Sequence, residues 1–273
     1  MIRKFVTAAC FALGLVPLSS QAKDVDALSE VIGIAEVIEI MREEGLGYGD
    51  ELRDEMLGGQ GGAHWDERID QIYDTSRMRA MFDRHFETEM AGVDQTPLIN
   101  FFSSDRGHQI IQLELSARRA LLDEAVEETA RETLHIAESD GSDRLELIRR
   151  YSDVNDLIDA NVEGALNSNL AFFRGLQEGG AFEGELTEQQ ILIDVWSQEP
   201  EIRMETTEWV LSYLLMAYGP LTDDDIEAYI AMSETEEGQA MNRALFVAFD
   251  EMFVEISHNL GDAVALFIAG EDI

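Results

Sequence analysis

The pattern Ser104-Asp-Arg-Gly107 returns as Thr235-Glu-Glu-Gly238, 131 positions further on. In both places a hydroxyl residue stands three positions before a glycine, and a long apolar-striped segment follows. Trp65 and Trp196 keep the same spacing, as do Phe82 and Tyr213, Leu98 and Tyr229, and Ile99 and Ile230. One offset held without gaps over about sixty residues points to a duplicated unit, because insertions would break the register of unrelated segments. The hydroxyl-to-glycine spacing is that of a helix N-cap: the side-chain oxygen takes one of the free N–H groups of the first turn. The expected fold is therefore all-α, a helical bundle built from two duplicated multi-helix units.

Composition agrees with that reading. The chain has few prolines and is rich in good helix formers, and its apolar residues recur at helical spacing. We expect N-terminal helices over 23–62, a first unit over 63–136, connecting helices over 137–193 and a second unit over 194–273. The run Gly45-Leu-Gly-Tyr-Gly49 is expected to end the first helix, which Asp24 would cap, with a short helix from Asp50 to Leu57. Gly58-Gly-Gln-Gly-Gly62 reads as a flexible joint, since it lacks the Lys-Ser/Thr of a phosphate loop. Thr96-Pro97 marks a helix start. The stripe Ile110, Leu113, Ala117, Leu121 and Ala125 predicts one long buried helix face. Asp143 with Glu146, and Thr187 with Gln190, have capping-box spacing. Pro200 suits a first helical turn, and Thr222 caps the acidic run Asp223-Asp-Asp225. After Thr235, Met241, Ala244, Leu245, Ala248, Met252 and Ile256 line one face, and Phe246, Phe249 and Phe253 a second. A helix apolar on two sides belongs at a bundle's centre.

The first 22 residues read as a separate object. Arg3 and Lys4 precede the apolar run Phe5–Leu18, and Ser20-Gln-Ala22 offers the small residues of a secretory cleavage site, with the cut after Ala22. A lipoprotein leader using Cys10 is the alternative, but it leaves an apolar run only about five residues long before the cysteine. No later stretch offers about 18 uninterrupted apolar residues, so the expected mature protein is exported to the periplasm, soluble, and without stable membrane insertion. Cys10 is the sole cysteine, so the mature chain is expected to have neither disulfide nor thiolate metal site. Loss of Arg3 and Lys4 leaves 17 basic against 56 acidic residues, a net charge of −39 where the whole chain has −37. Such a field repels phosphate backbones and anionic headgroups, which excludes nucleic acid as a partner.

The paired joints, Leu98-Ile-Asn-Phe-Phe-Ser-Ser-Asp-Arg-Gly107 and Tyr229-Ile-Ala-Met-Ser-Glu-Thr-Glu-Glu-Gly238, resemble the bacterial family called domain of unknown function 2059. Its recurring pattern is a short aromatic-containing helix, a Ser/Thr, often a proline, and a glycine opening a longer helix. Asp105 and Glu236 stand where the proline is expected. The resemblance implies exported helical proteins and brings no activity, cofactor or catalytic residue with it.

A search for chemistry returns little. The five histidines, His64, His85, His108, His135 and His258, show no metal-ligand spacing, and His85 with Glu89 reads as an ordinary surface pair. Asp140-Gly-Ser-Asp143 lacks the ligands of a calcium loop. No Gly-x-Ser-x-Gly elbow occurs. With 56 carboxylates, close acidic pairs arise by chance. No catalytic, cofactor-binding or metal residue is therefore assigned. Trp65 and Trp196 are read as core anchors of the two units; together with Ser104, Gly107, Thr235 and Gly238 they mark the repeat. The functional expectation is a non-enzymatic envelope protein that binds an unknown protein or small ligand in a groove between its units. The alternatives are a carboxylate-based hydrolase or metal-dependent enzyme, and a carrier of an apolar ligand.

Overall fold

The computed structural model describes residues 18–181 and 187–270, with side chains from residue 25 onward. Among these residues all regular structure is helical, without a strand. The order is α1 (Leu18–Val31), α2 (Ile34–Met56), α3 (Gly62–Ile72), α4 (Thr75–Glu89), α5 (Thr96–Phe102), α6 (Asp105–Ala120), α7 (Glu124–Asp140), α8 (Asp143–Val154), α9 (Leu157–Glu178), α10 (Glu188–Ser197), α11 (Glu199–Tyr218), α12 (Asp223–Ser233) and α13 (Glu236–Ala269). The proposed leader falls outside the described residues over 1–17.

Helix starts follow local chemistry. Ser104 accepts a hydrogen bond from the Gly107 N–H at 3.1 Å, and Thr235 accepts one from the Gly238 N–H at 3.0 Å. Each hydroxyl also donates back, to Phe101 O at 2.6 Å and to Met232 O at 2.7 Å. The caps share one backbone shape, φ −72°, ψ 160° at Ser104 and φ −70°, ψ 159° at Thr235. In both, the glycine lets a short helix press on the long one. A Cβ on Gly107 would stand 2.2 Å from Phe101 O, and one on Gly238 2.2 Å from Met232 O. Thr187 and Thr222 form full capping boxes with Gln190 and Asp225, and proline opens α5 and α11.

The core is built around α13. It lies along α9 and also contacts α4, α3, α5 and α12. Buried side chains from the N-terminal helices to Ala265 form one cluster, and a smaller one (Val162, Leu166, Ile191, Val195) joins α9 to α10. The two expected units are thus cross-packed: Trp65 meets Phe267, Phe82 meets Phe249 and Phe101 meets Tyr229. By length and composition α13 is also apolar enough to cross a membrane, with mean hydropathy 1.3 over its most apolar window. That window contains charged residues, which is why a search for an uninterrupted apolar run passes over it.

Several boundaries differ from expectation. Helix α2 runs through Gly45-Leu-Gly-Tyr-Gly49, and the break lies earlier, at Gly33, in the left-handed region with φ 71°. Gly45 and Gly49 are a packing face instead of a stop. A Cβ would fall 2.1 Å from the Tyr73 ring at the first and 2.6 Å from Ile69 at the second, and the Gly49 carbonyl accepts a hydrogen bond from Trp65 Nε1 at 2.9 Å. Burial of Trp65, Ile69 and Tyr73 there offsets the helix cost of glycine, about 1 kcal/mol each. Helix α1 begins before Asp24, so that residue is not its cap. Gly58–Gly62 stands at the expected joint, between α2 and α3, with the Gly59 N–H donating to Arg53 O at 3.0 Å and all four of its glycines at positive φ. The stripe expected to continue to Ala125 is cut: α6 ends at Ala120, Asp123 caps α7, and Ala125 is exposed. Ser142, not Asp143, precedes α8, and no side-chain cap bond forms there.

Trp196 corrects the core-anchor reading. Trp65 is fully buried, whereas Trp196 is 59 % exposed. Helix α3 is held between α2 and α13, while α10 covers α9 with Ile191 and Val195 and turns Trp196 outward.

Candidate ligand-binding cleft

Helices α9 and α13 run parallel, pinned at both ends. At their N-terminal ends Gln239 Nε2 donates to Val154 O at 3.0 Å, and Asn242 Nδ2 to Asn155 O at 2.7 Å. Toward their C-terminal ends the backbones touch through glycines. A Cβ on Gly175 would lie 2.1 Å from His258 O, and one on Gly261 2.1 Å from Phe172 O.

Between these pins, beside the pair and bounded also by α11, lies a cleft of about 500 Å3. On α9, Ala160, Gly164 and Ser168 follow at i, i+4 and i+8, one helix face with almost no side-chain volume. Phe246, Phe249 and Phe253 come from α13, and Trp209 from α11; Met41 of α2 and Arg118 of α6 complete the wall. A second, more polar cleft of about 630 Å3 lies beside Trp209, and a groove of about 430 Å3, lined by Ala130, Thr133 and Met216, separates α7 from α11.

The polar groups of the aromatic cleft are unequal. Arg118 is held by Glu44 in a two-pronged ion pair, Nε to Oε1 at 3.0 Å and Nη2 to Oε2 at 2.9 Å. Asp250 has no ion-pair partner among the described residues; the amide of Asn167 donates to its two oxygens at 3.2 and 3.4 Å. Burial pushes the Asp250 carboxyl above its ordinary range, the Asn167 bond opposes this, and Glu251 and Glu163 add to the rise.

One turn before Arg118 lies an unusual acid. Glu114 as a residue is partly buried, but its carboxyl sits inside a ring of phenols. Tyr218 donates to Glu114 Oε1 at 2.5 Å, and Tyr213 to the Glu114 backbone carbonyl at 3.2 Å. Tyr151 packs on Tyr218 and Tyr229 with ring centres 5.4 and 4.8 Å apart. Burial raises the Glu114 carboxyl to about 7, against hydrogen bonds from Tyr218 and Tyr229. The same burial, with Glu114 beside them, holds the phenols of Tyr151, Tyr213, Tyr218 and Tyr229 above their usual range. Tyr213 stacks on Trp209 at 5.3 Å, so this cage backs directly onto the cleft wall. Glu114 itself does not line the cleft.

The repeat markers lie elsewhere. Ser104, Gly107, Thr235 and Gly238 shape the two elbows, and Trp65 is sealed under α2 and α13. The cleft does not lie between the two expected units: its long walls are α9, from the expected connecting segment, and α11 and α13, both within the span 194–273. Among the described residues no three His, Cys, Asp or Glu side chains converge as a metal site. His135 and His258 pair with Glu208 and Glu178 at 2.9 and 3.0 Å at the surface. Sequence reasoning missed Asp250, Gly164 and Glu114. The signal for Glu114 was present: it stands four positions after buried Ile110, a charge placed at the edge of an apolar stripe.

Comparison with known protein families, with characterised proteins and with solved structures yields no match.

Proposed function

We propose that this chain is a binding protein, without catalytic chemistry of its own, that holds a small ligand in the cleft between α9, α11 and α13. The observation that carries the reading is the cleft itself. It is about 500 Å3 in volume and walled by Trp209, Phe246, Phe249 and Phe253, with a few polar groups placed among them. Ligand sites have this size, typically about 300–1,000 Å3, and this mixture. The pinned ends of α9 and α13 favour a preformed site, which lowers the ordering cost of binding.

Export belongs to the same proposal. It rests on the basic-then-apolar start and the small residues before Lys23, and its place of action is then the periplasm. The duplicated module and the likeness to domain-of-unknown-function-2059 proteins rest on the constant offset and on two elbows of matching cap geometry.

Gly164→Leu tests the site. Leucine at this position fills the small-residue face, where even a Cβ comes within 3.3 Å of Asp250 Oδ1. Wild-type protein should bind the neutral fluorophore N-phenyl-1-naphthylamine saturably, and the variant should not. Equal binding by both proteins, or no saturable binding by wild type, contradicts the assignment.

A further inference from the structure

The charges around the aromatic cleft are one-sided. Two carboxylates line it, Asp250 and Glu163, and neither makes an ion pair among the described residues, although carboxylates elsewhere on the surface are engaged by arginines. The lining cation, Arg118, is already committed to Glu44 through two bonds. Asp250 is partly buried and is met only by the neutral amide of Asn167, which satisfies its oxygens without cancelling its charge. A partly buried carboxylate without a counter-charge has lost part of its hydration, and a cation in the cleft would compensate it. Gly164 lies directly beside Asp250 Oδ1, where an added Cβ would come within 3.3 Å, so the carboxylate is turned along the small-residue face of α9 and not covered by a side chain there.

We propose that the cleft binds a small organic cation, with an apolar or aromatic body against Trp209 and the three phenylalanines and an ammonium group set toward Asp250 and Glu163. The inference rests on the reading of the cleft as a ligand site and adds the chemical class of the ligand. Aromatic rings and carboxylates together are the usual receptor for alkylammonium groups, since the ring faces attract the cation without demanding that it be dried of every contact. An anionic amphiphile fits poorly: it would place its charge beside two carboxylates, with Arg118 already paired. A neutral apolar body fills the volume but leaves Asp250 uncompensated. The whole-chain charge of −37 acts in the same direction, enriching cations near the surface and depleting anions.

Three probes with one apolar body distinguish the possibilities: (2-naphthylmethyl)trimethylammonium, 2-naphthalenemethanol and 2-naphthoate, titrated calorimetrically into the full mature chain. The ammonium probe is expected to bind about tenfold more tightly than the alcohol, and the carboxylate not measurably. Asp250→Asn should remove most of that preference while leaving the alcohol's affinity unchanged. Glu163→Gln, at an exposed position, should reduce the preference by less; it also keeps the test open if the Asp250 variant folds poorly. Equal affinity for ammonium and alcohol, or a preference that survives both substitutions, overturns the cation assignment. If the alcohol binds and Gly164→Leu abolishes it, the cleft stands without the cation. If no probe binds saturably, the cleft reading falls as well.

Discussion

Replacing Glu114 with glutamine separates a charge from a hydrogen bond. The amide oxygen can still accept from Tyr218, but the side chain no longer ionises. In the folded protein the carboxyl titrates at about 7, and its ordinary value is 4.5. Between these values the native state holds a proton that the unfolded chain has released. Stability from this group is therefore complete below the unfolded value and is lost as pH rises through about 7. The full loss is on the order of 3 kcal/mol, at about 1.4 kcal/mol per unit. From about pH 5 to about pH 8, wild type should lose roughly 2–3 kcal/mol that Glu114→Gln does not. Urea unfolding followed by circular dichroism at both pH values measures this. The difference between the two proteins at each pH cancels the remaining carboxylates, which are common to both. Tyr151, Tyr213, Tyr218 and Tyr229 ring the group, with Arg118 one turn away and Glu44 of α2 paired to it, and all are retained in the variant. The phenols sit above their usual range and stay protonated throughout the window. A stability difference that is the same at both pH values, or that favours wild type as pH rises, refutes the caged-acid account.

Glycine contacts give sharper mutational contrasts. Gly107→Ala and Gly238→Ala should each lower the melting temperature. The new Cβ strikes backbone at 2.2 Å, and an overpacking cost of about 1–3 kcal/mol exceeds the helix-propensity gain of about 1 kcal/mol. Gly47→Ala should have the opposite sign, raising stability by about 1 kcal/mol, because it lies exposed within α2 and its Cβ would meet nothing. Gly45→Ala, two residues earlier, should destabilise, since the Tyr73 ring occupies the space. Thr235→Ala should cost about 1 kcal/mol through loss of the cap on α13. Thermal unfolding of all five variants checks these signs.

The features legible in the sequence were those settled within four residues. Ser104, Thr187, Thr222 and Thr235 cap where their spacing to the next N–H groups requires, and the prolines of α5 and α11 fall in first turns. The features not legible depend on which helix meets which. Gly45, Gly47 and Gly49 are equivalent as local helix breakers; contact with Tyr73 and Ile69 makes two of them packing residues inside α2. Trp65 and Trp196 occupy matching positions in sequence, yet only one is covered, because α10 lies over α9 while α3 lies beneath α2. The cleft needed the parallel packing of α9 on α13, fixed by Gly175 and Gly261, which lie C-terminal to every residue of their helices that lines it. Periodicity marked Phe246, Phe249 and Phe253 as a second apolar face of α13. It did not reveal that the α9 helix opposite them carries alanine, glycine and serine, so that the rings face space.

Photolabelling with an aromatic ammonium diazirine, with the labelled residues read by mass spectrometry, tests the cleft most directly. The account predicts label on Trp209, Phe246, Phe249 or Phe253, suppressed by excess (2-naphthylmethyl)trimethylammonium. Label concentrated instead on the groove around Ala130, Thr133 and Met216, or spread over the surface and indifferent to competitor, would contradict it.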